Sequence, residues 1–251
     1  MGVFRFKQFS VDDSHSAMKI GTDGVLLGAW TRAENARTVI DVGTGTGLVA
    51  LMMAQRYEGV DIVGVDIDRE ACRDARGNVA ASPWPGRVKI VEADVFAWAA
   101  DDVVVGRPLC IVSNPPFFTE ALRSPDKARA LARHGEGLGV GSLIEWASCM
   151  MTGPDDSLSF IAPAERDDEM QYQLSLNRLA AVRMADVVSR EGRPAVRRLY
   201  EARREAAVTT PCVRETIVIR EVSGMYSQPY IALTEKFYLD STFANKKSLK
   251  G

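Results

Sequence analysis

Residues 38–47 read Thr-Val-Ile-Asp-Val-Gly-Thr-Gly-Thr-Gly, and this run is the strongest indicator of fold class in the chain. Its first half is rich in β-branched side chains, which predicts a short buried strand, and the apolar residues after it recur at helical spacing. Between the two, Gly43, Gly45 and Gly47 let the backbone approach a ligand closely. A strand, a glycine-rich turn and a helix in this order predict the first βα unit of a nucleotide-binding fold.

A second predicted strand, residues 61–65, ends in Asp66, which lies 23 residues beyond Gly43. An acidic residue at about this separation from the glycines is where such folds hold a ribose diol. A glycine-rich turn alone is weak evidence for a nucleotide site. The turn and the acidic residue together are much more specific, so they predict a site that holds a ribose.

Two further strands continue the pattern along the chain. Residues 88–92 lead into Asp94, and residues 109–112 lead into Asn114. Ligands of open α/β sheets bind along the carboxyl ends of parallel strands. The glycine turn, Asp66, Asp94 and Asn114 are therefore predicted to share one edge of the sheet.

The remaining strand patterns complete the predicted sheet. Residues 157–162 continue it, and residues 182–189 and 196–202 form an antiparallel terminal hairpin. We predict an α/β fold with a mostly parallel, doubly wound sheet of seven strands. Residues 215–221 look like one more strand.

The run Asn114-Pro115-Pro116-Phe117 carries the chemistry of the predicted edge. Its prolines remove two N–H donors and fix φ, so the chain cannot enter a helix and its carbonyls face outward as acceptors. The side-chain oxygen of Asn114 and the carbonyl of Pro115 can each accept one hydrogen of a planar NH₂ compound while Phe117 stacks on its ring. An ordinary proline-rich turn after a strand is the alternative interpretation.

None of these side chains is a strong base or nucleophile, so the site is predicted to hold a weak nucleophile in line with an activated electrophile. Hydride transfer with a nicotinamide is disfavoured, because Gly43-x-Gly45-x-Gly47 departs from the GxGxxG pattern and the Asn-Pro-Pro-Phe run has no role in it. Methyl transfer from S-adenosylmethionine fits better, since its sulfonium already activates the methyl group.

Charge and composition limit the classes of partner and the compartment that are expected for this protein. The 251 residues include 31 Lys and Arg against 33 Asp and Glu, a net charge of −2, so a nucleic acid would have to be held by a local patch. No signal peptide or apolar run of about 18 residues is seen, and the four separated cysteines are interpreted as buried thiols, so a cytoplasmic protein without membrane contact is expected. Neither His15 nor His134 has other residues at metal-ligand spacing beside it in the sequence, so no metal is expected.

These motifs together resemble the class I, Rossmann-like methyltransferases that modify exocyclic or amide nitrogens. Four further blocks narrow the resemblance: residues 6–9, 18–30, 82–84 and 230–238. With them the chain is similar to the tRNA(Val) adenine-N6 methyltransferase family, which methylates the adenosine just 3′ of the anticodon. Phe117 departs from the tyrosine that is common in the family, which keeps the stacking face and loses a hydroxyl.

The resemblance implies S-adenosylmethionine as the cofactor and tRNA as the partner. The implied cofactor-binding residues are Asp41 with the backbone around Gly43, Gly45 and Gly47 at the methionine moiety, Asp66 at the ribose, Ile67 under the adenine, Asp94 and Val95 at the adenine edge, and Gly21 and Thr22 as a closing wall. The implied catalytic motif is Asn114, Pro115, Pro116 and Phe117, with Asn114 also near the methionine.

The phosphates of an RNA need a local cationic surface, and three clusters are candidates. The favoured cluster follows the acceptor motif and is helped by the N-terminal arm; it comprises Lys7, Arg123, Lys127, Arg129 and Arg133. The others are the Arg-rich residues 190–204, which also suit a charged strand edge, and the lysines within residues 246–250.

The expected organisation is an N-terminal arm and cofactor-closing segment (1–30), a Rossmann-like methyltransferase domain (31–222) and a C-terminal helix and tail (223–251). Within the first part, Thr22 or Asp23 can cap a helix that docks on the core, or the segment closes over a cofactor.

Two other functions stay open: N-methylation of another exocyclic amine or of a protein glutamine side chain, and RNA binding without catalysis. No obligate protein partner is expected.

Overall fold

The computed structural model describes residues 2–16, 18–98, 106–116 and 139–243. Several residues singled out in the sequence lie outside this part of the chain: Phe117, Arg123, Lys127, Arg129, Arg133 and the lysines within residues 246–250.

Strands and helices alternate along most of the described chain. The strands are β1 (Val3–Arg5), β2 (Ser10–Asp12), β3 (Thr38–Val42), β4 (Asp61–Asp66), β5 (Val88–Glu92), β6 (Leu109–Ser113), β7 (Ser157–Pro163), β8 (Leu179–Arg190), β9 (Ala195–Arg204) and β10 (Val213–Arg220). The helices are α1 (Thr22–Trp30), α2 (Leu48–Arg56), α3 (Arg69–Ala80), α4 (Val140–Met150), α5 (Asp167–Leu176), α6 (Gln228–Thr234) and α7 (Asp240–Phe243).

The main sheet has the strand order β10-β8-β9-β7-β6-β3-β4-β5, and β1 and β2 form a separate antiparallel pair. Strands β3 to β7 are parallel to one another, and β9 runs antiparallel between β7 and β8. The predicted α/β class, mostly parallel sheet and antiparallel hairpin are confirmed. The sheet has eight strands rather than seven, because β10 pairs in parallel with the outer side of β8.

Apolar side chains on both faces of the sheet form two separate cores. On β3, Val39 belongs to one core while Ile40 and Val42 belong to the other, as expected for side chains that alternate along a strand. Residues of α1 and α2 contribute to the first core, and residues of α4 and α5 contribute to the second. The sheet is therefore covered on both faces, as the doubly wound prediction requires.

The Arg-rich residues 190–204 are not a solvated strand edge. Strand β9 lies between β7 and β8, so that interpretation is wrong. Its arginines are held within the protein: Arg198 pairs with both Asp167 and Asp186, and Arg204 donates to two main-chain carbonyls. Withdrawing Arg198 to bind a phosphate would leave two acidic side chains without this partner.

Both ends of the described chain pack on the first core. The Phe6 ring stacks on Phe9 with ring centroids 4.7 Å apart and on Tyr238 at 5.8 Å. The Lys7 amide donates to the carbonyl of Phe237 (N to O, 2.7 Å). The N-terminal arm and the C-terminal segment are thus attached to the core that contains α1 and α2.

Three further findings concern membranes, metals and thiols. Among the described residues, no helix has the length and apolar character needed to cross a bilayer. Within the same ranges, no three His, Cys, Asp or Glu side chains are grouped as metal ligands. Cys72 and Cys110 are buried thiols, whereas Cys149 is exposed and Cys212 half-buried, so the expectation of four buried thiols is wrong.

Candidate active site

Strand register brings the predicted site residues to one edge of the sheet. Val42 at the end of β3 pairs with Val65 of β4 on one side and with Ser113 of β6 on the other. The glycine turn after β3, Asp66 at the end of β4 and Asn114 after β6 therefore leave the sheet side by side.

The glycine turn has a backbone that other residues adopt only with strain. Gly43, Gly45 and Gly47 have φ angles of 68°, 55° and 80°, in the left-handed region where a Cβ is crowded. The Gly43 amide donates to the Val65 carbonyl (N to O, 2.8 Å), and the Gly47 amide donates to the Thr44 carbonyl (2.9 Å). The first bond holds the turn against β4, and the second closes the turn on itself.

Gly64 of β4 allows the turn to come this close. A Cβ at this position would lie 2.7 Å from Oγ1 of Thr44 and 2.9 Å from Cδ1 of Ile90, well inside the 3.5–4.0 Å at which non-bonded heavy atoms attract. Sequence reasoning missed this residue. Its place in the middle of a buried strand is the signal that could have found it, because such glycines mark close backbone approach.

Asp41 braces the turn from within the sheet. It is 1% exposed, and its Oδ2 accepts from the Thr44 hydroxyl (2.7 Å) and from the Ala50 amide (3.0 Å). Burial raises the pKa of Asp41 to about 7. Desolvation of the carboxylate therefore outweighs the two hydrogen bonds, which favour its charged form.

This raised pKa predicts a pH-dependent stability that Asp41→Asn removes. In the folded state the carboxyl keeps its proton up to about pH 7, whereas in the unfolded chain it loses it near pH 4. The Asp41 contribution to the free energy of unfolding thus falls as the pH rises through this window. Asparagine has no such proton, so the stability of the variant relative to the wild type should rise with pH, by at most about 1.4 kcal/mol per pH unit.

Denaturant unfolding of both proteins from about pH 4 to about pH 8 measures this difference. The two stability curves should diverge as the pH rises. Parallel curves, or a variant that loses stability relative to the wild type with rising pH, would contradict the prediction for Asp41.

Asp66 links the turn to the start of α3. Its Oδ2 accepts from the Gly45 amide (2.8 Å) and its Oδ1 from the Asp68 amide (2.9 Å). Asp68 in turn caps α3, because its side chain accepts from the amides of Glu70 and Ala71. Burial raises the pKa of Asp66, although the hydrogen bonds act in the opposite direction. The bonds from Gly45 and Asp68 fix the Asp66 carboxylate at the end of β4.

Exposed apolar side chains follow the ends of β4 and β5. Ile67 is 58% exposed and Phe96 is 41% exposed, although large apolar side chains are more often buried. Asp94 is exposed and its Oδ1 accepts from the Phe96 amide (3.0 Å), while Val95 is buried. Ile67 and Phe96 each offer an exposed apolar face after a strand end, and sequence reasoning did not single out Phe96.

Asn114 stands at the end of β6 with its side chain half-buried. No hydrogen bond joins its amide to the described residues. Its Nδ2 is 3.8 Å from the place that a Cβ on Gly24 would occupy, so α1 comes close to it. Pro115 is buried and Pro116 half-buried, and Phe117 lies outside the described residues.

Helix α1 forms the opposite wall. It begins at Thr22, and its N-cap is Gly21, which offers no side-chain cap. The predicted cap by Thr22 or Asp23 is wrong, because Asp23 instead pairs with Arg197 of β9 (Oδ2 to Nε, 2.9 Å). The rest of α1 from Gly24 is buried, which confirms docking on the core, while Gly21 and Thr22 are exposed.

A narrow cleft between these walls unites part of the predicted site. The predicted residues that border it are Gly21, Asp41, Gly43, Gly45 and Asn114. The predicted cofactor-binding residues outside it are Thr22, Gly47, Asp66, Ile67, Asp94 and Val95, and Pro115 and Pro116 of the predicted catalytic motif do not border it either. Asp66 is nonetheless connected to the cleft through its bond to Gly45.

The groups at this edge fit the cofactor that the sequence predicts. A carboxylate at a strand end suits a ribose diol. A Cβ on Gly45 would meet nothing within 4 Å, so a ligand can approach the backbone of the turn there. Ile67 adds an exposed apolar face beside Asp66. S-adenosylmethionine contains a counterpart for each of these groups.

The candidate cations differ in position and in how firmly they are engaged. Lys7 pairs with Asp240 of α7 (Nζ to Oδ1, 2.6 Å) at an exposed position, where such a pair contributes little stability. Arg190 and Arg193 are exposed at the tip of the β8–β9 hairpin. Both β7 and β8 run antiparallel to β9 and so parallel to each other, which brings this tip to the same sheet edge as Asn114.

Comparison with known proteins gives a consistent result. A family model described as the methyltransferase small domain matches residues 13–137. A tRNA1(Val) (adenine(37)-N6)-methyltransferase of Aeromonas hydrophila is 42% identical over 238 residues, which cover 94% of this chain and 97% of that protein. A protein of the same description from Porphyromonas gingivalis is 38% identical over 245 residues, with coverage of 95% and 96%.

Solved structures share the fold at low sequence identity. A predicted O-methyltransferase from Agrobacterium tumefaciens has a TM-score of 0.64 and 20% identity, covering 86% of this chain and 96% of that one. TrmK of M. capricolum, solved with S-adenosyl-homocysteine, has a TM-score of 0.51 and 9% identity, covering 74% and 70%. These similarities confirm the class I methyltransferase fold.

Proposed function

Because the chain belongs to the tRNA1(Val) (adenine(37)-N6)-methyltransferase family, we propose that it methylates N6 of the adenosine just 3′ of the anticodon in a valine tRNA. S-adenosylmethionine is the cofactor and tRNA the substrate. The observation that carries the proposal is that the glycine turn and Asn114 border one cleft. A methyl donor and an exocyclic amine can meet there.

In this proposal the cofactor lies along the carboxyl edge of the sheet. The residues assigned to it are Asp41 with the backbone of Gly43, Gly45 and Gly47 at the methionine end, Asp66 and Ile67 at the ribose and adenine, Asp94 and Val95 at the adenine edge, and Gly21 and Thr22 as the closing wall. S-adenosylmethionine bound here supplies a sulfonium methyl group: N6 forms the new N–C bond, sulfur keeps the C–S electron pair, and N6 releases one proton.

The acceptor motif holds the reacting amine. The side-chain oxygen of Asn114 and the carbonyl of Pro115 each accept one N6 hydrogen, which favours a pyramidal nitrogen whose lone pair is free to react. Phe117 stacks on the adenine after it leaves the RNA stack. Pro116 keeps the chain rigid between them. The Asn114 amide supports this role, since it has no hydrogen bond to the described residues that it would have to give up.

Two other functions make different predictions from the same site. A protein glutamine side chain carries an amide NH₂ that satisfies the same two acceptors. An RNA-binding module without catalysis needs no cofactor site, yet Asp66, the glycine turn and Asn114 stand together here. The first alternative places the transferred methyl group on protein, and the second transfers none.

Incubation with labelled S-adenosylmethionine and either total RNA or total protein from a strain that lacks this gene decides among them. Label in N6-methyladenosine, released by digestion of the valine tRNA, is the expected result. Label found only in glutamine residues of proteins, or RNA that binds without acquiring label, would overturn the proposal.

We also propose that residues 31–222 form the methyltransferase domain, with residues 1–30 and 223–251 as extensions of it. The packing of Phe6 and Tyr238 on each other supports extensions that fold onto one core. A tRNA substrate suits a cytoplasmic location.

RNA docking is predicted to depend on Lys7, Arg123, Lys127, Arg129 and Arg133, because four of these residues follow the acceptor motif closely in the sequence. Removal of one cation that binds a phosphate should lower the slope of log K against log salt by about 0.7–0.9. A variant with Arg129→Ala and Arg133→Ala should therefore bind tRNA more weakly and with a smaller slope. Filter binding over a range of salt concentrations measures both quantities.

The matched control replaces Arg190 and Arg193, which are exposed at the same sheet edge as Asn114. Unlike Arg198, neither forms an ion pair with a residue in the described ranges. The Arg190→Ala, Arg193→Ala variant should keep its slope. The favoured cluster is wrong if this control loses slope and affinity while the Arg129, Arg133 variant retains both.

A further inference from the structure

One side of helix α3 carries two buried polar side chains, Asp74 and Asn78. Residues four apart on a helix are neighbours on its surface, and both of these face residues 12–16 of the N-terminal arm. They are 7% and 5% exposed, so their polar atoms need hydrogen-bond partners. The partners belong to two different segments near the cleft.

Asn78 ties the arm to the glycine turn. Its Oδ1 accepts from the Asp12 amide (2.8 Å), and its Nδ2 donates to the Asp12 carbonyl (2.9 Å). The same Nδ2 donates to the Thr46 carbonyl in the turn (2.9 Å). One side chain thus sets the spacing between the arm and the turn.

Asp74 holds the next residues of the arm. Its Oδ2 accepts from the amides of His15 (2.9 Å) and Ser16 (2.8 Å). Its Oδ1 lies 2.7 Å from Nδ1 of His15. Ser16 is only 3% exposed although it lies in a loop. The arm is therefore anchored to α3 by side chains on the helix rather than by its own strand pairing.

The anchored segment leads directly into one wall of the cleft. Residues 18–21 border the cleft, as does the glycine turn. Asp13 holds this stretch as well, because its Oδ2 accepts from the Ile20 amide (3.3 Å). Few residues separate the anchor at Ser16 from this wall, so release of the arm from α3 would let the wall move.

We propose that Asp74 and Asn78 are positioning residues of the cofactor pocket, which hold the arm so that residues 18–21 are already in place as one wall. This inference rests on the proposed function. Neither side chain borders the cleft, so they act on the wall and make no contact with a ligand there. A wall that is ordered in advance spares the binding step the entropy of ordering it.

The test compares Asn78→Ala and Asp74→Ala with Arg73→Ala, a control on the exposed side of the same helix. The Kd of S-adenosylhomocysteine by calorimetry and the KM for S-adenosylmethionine should rise roughly tenfold in the first two variants. Their kcat should stay within about threefold of the wild type, because the anchors do not touch the reacting atoms. Asp74→Asn, which keeps an acceptor for the arm amides, should restore most of the affinity.

Hydrogen exchange gives a readout that does not depend on activity. In Asn78→Ala the amides of residues 12–21 should exchange faster than in the wild type, and S-adenosylhomocysteine should slow them again. His15→Ala removes a contact from the arm side and is a milder variant. If an alanine variant on α3 fails to fold, faster exchange of residues 12–21 is still expected in His15→Ala.

Three results overturn the inference: unchanged affinity in folded Asn78→Ala, a lower melting temperature as the sole effect, or a fall in kcat at constant KM. Unchanged exchange of residues 12–21 in both Asn78→Ala and His15→Ala would overturn it as well. A wild-type protein that binds no S-adenosylhomocysteine would instead overturn the proposed cofactor site, so the two failures are distinguishable.

Discussion

Asn114→Ala should lower the rate of methyl transfer by about 10²–10³ and leave tRNA binding nearly unchanged. An acceptor aimed at the reacting amine acts mainly in the transition state, and the loss of one such preorganised partner has an effect of about this size. The amide makes no hydrogen bond to the described residues, so its removal breaks no structural bond among them. Cofactor affinity should fall modestly, because Asn114 borders the cleft.

Single-turnover kinetics with saturating cofactor and tRNA measure this effect directly. Asn35→Ala is the matched control, since Asn35 is exposed in the segment before β3, at the opposite edge of the sheet. The control should react at the wild-type rate. If the Asn114→Ala rate also stayed within a few-fold of the wild type, the acceptor role of this side chain would be wrong.

Asp66→Ala should weaken binding of S-adenosylhomocysteine by roughly ten- to a hundredfold while the protein stays folded. A charge-assisted hydrogen bond to a ribose hydroxyl contributes about 1.5–3 kcal/mol, which converts to a change of this size in Kd. The same carboxylate accepts from the amides of Gly45 and Asp68. The variant therefore also loses two bonds that hold the turn and the start of α3.

Two further variants separate these contributions in calorimetric titrations. Asp66→Asn keeps an acceptor for one of the two amides and should show an intermediate affinity. Asp61→Ala changes the same residue type at the other end of β4, where it is exposed, and should bind like the wild type. If Asp66→Ala bound S-adenosylhomocysteine as tightly as Asp61→Ala and the wild type do, Asp66 would not contribute to the pocket.

Much of the site could be predicted because its residues follow strand ends that are visible in the sequence. Asp66 and Asn114 each come at or just after a short apolar run, and the parallel pairing of such runs places their carboxyl ends together. The glycines of the turn were visible for the same local reason. Their positive φ angles are a property of three residues and their neighbours.

Other members of the site depend on partners far away in the chain. The Asn78 side chain bonds Asp12 across 66 positions and Thr46 across 32, and a local pattern gives no signal for such pairs. Gly64 matters because Thr44 and Ile90 are packed against it. In the sequence it is simply a glycine within a strand.

Local patterns were sufficient for the α/β class, the parallel strands and the residues at their ends, because a strand or a helix imprints its period on the apolar residues that form it. Packing in three dimensions was needed to place β9 inside the sheet, to pair Arg198 with Asp167 and Asp186, and to anchor the arm on α3. These features arise from contacts between segments that are distant in sequence. No periodic pattern within a single segment can record which distant segment it will meet.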